Sequence, residues 1–391
     1  MNRREVKRAP VLRFKGFTND WEQRKFENLV SRLSKTSNNE SLPNVTYDDI
    51  KSRENSLNKD ITELIHGKKG IHFNKDDILF GKLRPYLGNI LLARFNGIAV
   101  GDFWVLSPKD NNISSFLFDL IQTSKYKYIS NLSSGSKMPR SDWNLVSKAS
   151  FWVPIQQEQN KIGKIFQLID NLVSLQQRKL ELLSLIKKTI IKHLFKLKNS
   201  DSLNLKFKTS CSQWNSKKLG EIAKFINGRA FKQSELLNKG KYPVLRVGNF
   251  YTNDKWFYSD LNLNKNKYAD KGDLLYTWSA TFGPHIWKGP KVIFHYHIWK
   301  IDFDPSTVNK TFLFYFLEAD KENLLTNSNG STMIHITKSN MENKIINLPQ
   351  FSIQQNIGTF LSNLDYLINQ EKIKSKQLIQ LKRFLLQNMF I

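Results

Sequence analysis

Two stretches of the 391-residue chain share one pattern of apolar and polar positions. In the first, Pro154 to Phe195, the residues Ile162, Phe166, Ile169, Leu172, Leu175, Leu182, Ile186 and Ile190 step by three, four or seven. That spacing sets them along one side of a helix. Leu, Lys, Gln and Glu fill most of the remaining positions, and all are good helix formers. The second stretch, from Leu348 to the last residues, repeats the first at a constant offset of 195, pairing Pro154 with Pro349, Gln159 with Gln354, Gly163 with Gly358, Asp170 with Asp365, Lys187 with Lys382 and Phe195 with Phe390. An ungapped repeat of this length means two copies of one architectural unit. Proline is tolerated in the first helical turn, so Pro154 and Pro349 mark helix starts. Each helix is then about 40 residues and about 60 Å long, too long for an ordinary core. The pattern predicts that the two pack on each other as an antiparallel coiled coil. Both turn polar at equivalent places, Gln176 to Lys179 and Glu371 to Lys374. Either the seam is interrupted there or another protein covers it, and partner contact is the preferred expectation.

The opening stretch repeats too. Leu12 to Trp21 matches Leu205 to Trp214 at an offset of 193, pairing Phe14 with Phe207 and Trp21 with Trp214. The expected division is therefore a lead-in (1–20), a first mixed domain (21–152), a long helix (153–198), a second lead-in (199–213), a second mixed domain (214–347) and the distal helix (348–391). Inside the domains, 31–41 reads as a polar loop, 71–80 as turn plus strand, and 89–94 and 97–106 as strands rich in Ile, Val, Phe and Trp. Residues 114–129 read as one helix, repeated near 312–319; 272–278 repeats 76–80; and the small-residue loop 133–140 recurs at 326–333. The domains differ far more than the helices. One scaffold with two variable surfaces follows, an α+β fold with an internal pseudo-two-fold repeat.

Charge narrows the partner. Lys and Arg number 60 against 34 Asp and Glu, a net charge of +26. A surplus spread over folded domains suits a polyanion, most often nucleic acid. The single cysteine, Cys211, excludes a disulfide framework and a cysteine zinc site. No apolar run approaches the roughly 18 residues of a membrane span, and the basic N-terminus lacks the apolar core of a secretory signal. A cytoplasmic location is expected.

No Walker A loop, GxGxxG, HExxH or Asn/Asp-Pro-Pro-aromatic methyltransferase tetrapeptide is present. Glu342-Asn-Lys344 matches the tail of a nuclease ExK site but has no partner aspartate in a strand pattern. His295 and His297 alternate as on a strand, with His285 near, and stand as either a metal pair or packed, DNA-facing histidines. The aromatic-dense run around Tyr276, Trp278, Phe282, Trp287, Tyr296 and Trp299 reads as core or as a surface that meets nucleotides. The loops offer better candidates for DNA. Lys82, Arg84 and Tyr86 suit phosphates or a guanine edge. Ser134, Ser136, Lys137 and Arg140 in one small-residue loop, and Asn329, Ser331 and Thr332 in its repeat, allow close backbone approach. Trp278 and His285 complete the candidate set.

With the repeats laid out, the chain resembles the specificity subunits of type I restriction–modification enzymes. The resemblance rests on Leu12-Arg-Phe-Lys-Gly-Phe-Thr-Asn-Asp-Trp21, the Pro-x4-Gln helices, Asp77-Ile-Leu-Phe-Gly-Lys-Leu-Arg-Pro-Tyr86, and Leu274 to Pro284 with His295 to Trp299. Thr209 to Gln213 departs from the lead-in pattern, so the second lead-in is not expected to pack like the first. The resemblance implies two target recognition domains, each reading one half of a bipartite, asymmetric site in double-stranded DNA. It implies that the two helices are spacers of fixed length on which two modification (methyltransferase) subunits dock, joined by restriction (helicase-nuclease) subunits. Docking positions would be Ile162, Phe166, Ile169 and Leu172 on one helix, and Ile357, Leu361, Leu364 and Leu367 on the other. It implies no catalytic residue, metal or cofactor in this chain, with S-adenosylmethionine, ATP and Mg2+ on the partners. From the residues alone, an RNA-binding adaptor with a protein-binding coiled coil and a solitary DNA-binding regulator remain open.

Overall fold

The computed structural model describes residues 9–52, 54–110, 112–132, 138–195, 214–251, 253–279, 281–327 and 336–391. The chain divides into two compact units, Met1–Lys179 with Glu371–Ile391, and Leu180–Gln370. Both long helices are present. Helix α2 spans Gln156–Leu194 and helix α4 spans Phe351–Asn388, 39 and 38 residues. Each begins two residues after its proline, where the missing N–H has no helical acceptor to lose. The unit boundary cuts each helix, so each unit holds one piece of α2 and one of α4.

The first unit is built on a four-stranded sheet of β1 (Val30–Leu33), β2 (Ile78–Gly81), β3 (Ile90–Leu92) and β4 (Phe103–Pro108), in the order β1-β4-β2-β3. All its pairings are antiparallel. The second unit repeats it with β5 (Ala223–Asn227), β6 (Leu274–Thr277), β7 (Gly283–Ile286) and β8 (Ile298–Phe303), in the order β5-β8-β6-β7. Each unit adds a second four-stranded sheet and a two-stranded ribbon, Glu22–Lys25 with Ser150–Val153 and Asn215–Lys218 with Ile345–Leu348. Two expectations change here. Part of the polar stretch 31–41 is strand, because β4 offers β1 an edge, and tertiary pairing outweighs a polar composition. The single helix expected over 114–129 is two: α1 (Ser114–Leu120), then Ser124–Ser130, whose first turn is capped by the Thr123 hydroxyl accepting from the Tyr126 N–H. Its counterpart α3 (Lys310–Asn327) is continuous.

The Pro-x4-Gln signature has a mechanical reason. Gln159 Oε1 accepts from the Ile113 N–H at 3.0 Å, at the start of α1, which has no side-chain cap of its own. Its Nε2 donates to the Pro154 carbonyl at 2.9 Å. In the second unit Gln354 accepts from Asn309 N–H at 2.9 Å and donates to Pro349 O at 3.0 Å. Both amides are buried, so each stitches a long helix to a domain helix with its hydrogen bonds made. Glycine follows four residues later for lack of room. A Cβ on Gly163 would sit 2.8 Å from Ser115 Cβ and 3.0 Å from Phe116 N; one on Gly358 would sit 3.0 Å from Thr311 Cβ. Gln159→Ala leaves the half-buried Ile113 N–H unsatisfied. Chemical denaturation should show the first unit less stable by about 1–3 kcal/mol, and Gln354→Ala should do the same to the second.

Helix ends plug domain cores. In the first unit Phe390 stacks on Phe116 at 5.4 Å and meets the edge of Trp21 at 6.3 Å. In the second, Phe195 meets Phe312 at 5.3 Å and Trp214 lies 6.4 Å from the same ring. The first lead-in is tied down as well: the buried Glu158 accepts two bonds from Arg13, at 2.7 and 2.8 Å, and Leu12 N–H donates to Asn388 O. Position 353, the repeat of Glu158, is isoleucine, so this ion pair has no equivalent in the second copy. The second lead-in, 199–213, lies outside the described residues.

The helices run antiparallel within each unit. Lys382 pairs with Asp170 at 2.5 Å in the first unit, and the offset-195 equivalent, Lys187 with Asp365, pairs at 2.6 Å in the second. In the second unit Leu180, Leu364 and Ile368 pack as an apolar cluster. The polar breaks have an internal explanation. Gln176 donates to the buried Glu371 carboxylate, which also accepts from Lys179 at 3.0 Å and Lys374 at 3.1 Å. Gln176 and Glu371 are themselves one offset of 195 apart, so the contact joins the same position of the two copies, as antiparallel pairing of a repeat requires. A buried polar contact of this kind specifies register. Its donors pull the Glu371 carboxyl down to about 2, with the Gln176 bond the largest cause. A depressed carboxyl stabilises the fold above its ordinary value near 4.5 and loses that contribution as pH falls toward about 2. The stability difference between the native chain and Glu371→Gln should therefore shrink over that window in urea melts taken at a series of pH values.

Candidate nucleic-acid interface

In the first unit the fold gathers three of the candidate residues from distant parts of the sequence. Strand β2 ends at Gly81, and the next residues lace to the segment 139–141: Arg84 N–H donates to Pro139 O at 2.7 Å, and Ser141 N–H donates to Lys82 O at 2.9 Å. Leu83 and Arg140 form an isolated bridge. Lys82, Arg84 and Arg140 thus share one small surface. Asp102 sits among them, 3.0 Å from Arg140 and 3.5 Å from Lys82. Its backbone carbonyl accepts from the Tyr47 hydroxyl at 2.6 Å, and that oxygen accepts from Leu83 N–H at 3.0 Å. Burial pushes the Tyr47 hydroxyl up to about 12, so it stays a neutral bridge. Two cations share one carboxylate, and Arg84 has no ion pair among the described residues, so the cluster keeps net positive charge.

Arg84 adopts a left-handed backbone, φ 50° and ψ 60°. A non-glycine residue there costs on the order of 1–3 kcal/mol, a strain that concentrates at functional sites. Pro85 fixes the turn, and Tyr86 stands 52 % exposed beside it. A free guanidinium and an open phenol on a rigid turn can bind a phosphate or reach a base edge. Ser134, Ser136 and Lys137 lie outside the described residues, as do Asn329, Ser331 and Thr332. Sequence reasoning missed Asp102 and Tyr47, because their role depends on where the chain returns.

The second unit has different chemistry at the equivalent place. Strand β6 leads into Trp278 where β2 leads into the basic turn. Trp278 stacks on Trp299 at 5.7 Å and donates its indole N–H to Tyr296 O at 2.9 Å, so its one donor is used internally. His285, on β7, stacks on Phe250 at 4.0 Å, with the Tyr251 and Thr277 hydroxyls each 3.3 Å from Nε2. Burial, helped by Lys321, pushes His285 down to about 4, so it is neutral near pH 7 and brings no charge to a phosphate. His295 and His297 do not alternate on a strand. They lie in the bridge and turn that precede β8, their rings 5.1 Å apart. Among the described residues no group of three or more His, Cys, Asp or Glu could hold a metal. Lys344 of the ExK tripeptide pairs with the buried Asp320 at 2.6 Å, a structural role. Two cations here escaped the sequence reading. Arg229 pairs with Glu235 and lies 5.7 Å from the Phe231 ring, and Arg246 lies 4.4 Å from that of Phe257. The Arg229–Phe231 spacing was their one visible signal.

The helix positions expected to dock partners need correction. Ile162, Phe166 and Ile169 are buried in the first unit's core, and Ile357 and Leu361 in the second's; Leu364 is buried in the helix–helix cluster. Their own domains and the opposing helix cover them. Of the eight, Leu172 and Leu367 remain exposed, at 50 % and 49 %. Other exposed apolar positions on α2 are Leu168 and Leu175 in the first unit, and Leu182, Leu185 and Ile186 in the second.

Each unit joins one mixed domain to pieces of two long helices, and the repeat of that unit defines a modular protein. The family model "Type I restriction modification DNA specificity domain" matches residues 18–185 and again 211–381. The chain belongs to that family and is a type I restriction–modification specificity subunit. The MjaIX specificity subunit of Methanocaldococcus jannaschii is 24% identical over 326 residues, 77% of this chain and 73% of the relative. The MjaVIII specificity subunit of the same organism is 24% identical over 334 residues, 81% and 78%. The crystal structure of the type I S subunit from M. genitalium superposes with a TM-score of 0.63 at 16% identity, covering 98% of this chain and 99% of that one. A chain from a structure of complex assembly and conformational transition in the type I system gives 0.59 at 17% identity, covering 94% and 96%. No described helix is long and apolar enough to cross a membrane.

Proposed function

We propose that this chain reads DNA for a type I restriction–modification complex and does no chemistry itself. Each recognition domain reads one half of a bipartite site, and α2 with α4 sets the spacing between the halves. Two modification subunits dock on the helices and restriction subunits join them; S-adenosylmethionine, ATP and Mg2+ belong to those partners. One observation carries the reading. The β1-β4-β2-β3 order recurs as β5-β8-β6-β7, each domain is bonded to its helix by the same glutamine, yet the surface after the equivalent strand is a basic turn in one and a tryptophan–histidine surface in the other. Repeated frames with different faces suit two different half-sites. The exposed leucines of α2 support protein docking, and the net charge of +26 supports a phosphate-dominated affinity that falls with salt.

Mapping of methylated bases in a host with and without this gene tests it. The expected result is loss of one bipartite, asymmetric motif when the gene is removed. A methylation pattern that stays the same overturns the assignment.

A further inference from the structure

The first unit contains a cavity of about 330 Å³ between α1, the first half of α2 and the segments 54–57 and 91–95. Asp119 lines it and is 2 % exposed; among the described residues its Oδ2 has no hydrogen-bond partner, and its Oδ1 is reached only by Gln122 Nε2 at 3.4 Å. Asp170, across the cavity on α2, is paired with Lys382. Ser115, Phe118, Gln167 and Asn171 also line it, as do Glu54 and Arg94, the latter paired outward with Asp76 at 3.7 Å.

The second unit shows what such a place holds when filled. Gln159 and Gln354 bond Ile113 and Asn309, while Gly163 and Gly358 face Phe116 and Phe312. These shared contacts make Tyr315 the counterpart of Asp119, and Asp365 that of Asp170. Tyr315 donates its hydroxyl to Asp365 at 2.6 Å, and Lys187 lies 2.6 Å from the same carboxylate and 5.3 Å from the ring. There the chain supplies a planar ring and a proton. In the first unit an aspartate replaces the tyrosine, so the ring's space is open and a carboxyl group stands where a phenol stood. Two carboxyl groups face one ammonium. Burial raises Asp119 well above the usual carboxylate range, and a cation brought into the cavity would favour its charged form.

We propose that this cavity receives the guanidinium of one arginine from a protein partner seated on the first half of α2. Guanidinium is planar, as the tyrosine ring is, and carries five donors and a charge suited to paired carboxylates. Three or more clustered His, Cys, Asp or Glu ligands for a metal ion are absent among the described residues. Leu168, Leu172 and Leu175 stand exposed on the same half of the helix, so a polar slot adjoins apolar surface, the composition of an interface anchor site. The inference rests on the reading that a partner protein docks along α2.

The test uses the full chain, with benzamidinium as a planar cationic probe and benzyl alcohol as its neutral analogue. Saturation-transfer NMR should show benzamidinium bound and displaced by arginine amide, at least tenfold weaker binding to Asp119→Asn, and none to Asp119→Tyr, which restores the second unit's arrangement. Unchanged melting of Asp119→Tyr shows that loss is not unfolding. Absence of benzamidinium binding, equal binding to native chain and variants, or equal binding of benzyl alcohol overturns the pocket. Assembly with the modification subunit separates the two readings. If it binds the native chain at least tenfold more tightly than Asp119→Tyr, the arginine anchor stands; equal binding to both overturns the anchor and leaves docking intact; no binding to either overturns docking, while the probe result still decides the pocket.

Discussion

Alanine at Lys82, Arg84 and Arg140 together should weaken binding of the assembled complex to its cognate duplex about a hundredfold near physiological salt. Each phosphate contact contributes about 0.9 to the slope of log affinity against log salt, so losing three lowers the slope by about 2.7. The cluster also holds Asp102. Removing both of its partners leaves a carboxylate facing the DNA, which adds repulsion. Arg84→Ala alone separates two roles. As a phosphate ligand it weakens all sequences alike and reduces the slope by about 1; as a reader of guanine it relaxes one position of the first half-site by about 1–3 kcal/mol. Filter binding over a salt series with matched and single-mismatch duplexes distinguishes them. Unaltered affinity and slope in the triple variant would remove this surface from the interface.

Phe166→Ala should have the largest effect on stability, about 3–5 kcal/mol. Phe166 is fully buried, packs at 6.0 Å from Phe390 and lies in the cluster that holds Trp21 and Phe116. Its loss empties the junction at which the start of α2, the end of α4 and the first domain's helix meet. Calorimetry should show a lowered transition for the first unit, while the second, with Leu361 at the repeated position, keeps its own. A loss below about 1 kcal/mol would mean that this junction is not where the unit is held together.

The long helices, the repeat and the order of elements were legible in the chain itself, because a 3.6-residue periodicity and a constant offset are local and serial properties. The basic turn at Lys82 to Tyr86 was legible for the same reason: its residues are neighbours. Its partners were not. Arg140 joins it through backbone bonds across a sequence gap, and Asp102 and Tyr47 come from two further segments. The periodicity also marked Ile162, Phe166 and Ile169 as one face without saying what would cover that face. A partner protein was expected; the chain's own first domain covers it.

What the sequence by itself determined is the architecture: two copies of a mixed domain and a long helix, with glutamine and glycine at fixed places after each proline. Hydrophobic period and repetition carry that information without reference to distance. The tertiary structure alone decided which contacts those positions make. Gln176 meets Glu371 because antiparallel pairing brings equivalent positions of two copies together, so a polar break in each helix becomes one hydrogen-bonded cluster. Asp119 faces an open cavity where Tyr315 fills its own, a difference that appears only when both domains are laid on the same helix contacts. Long-range contacts depend on closing loops of tens to hundreds of residues, and no local pattern encodes where such loops close.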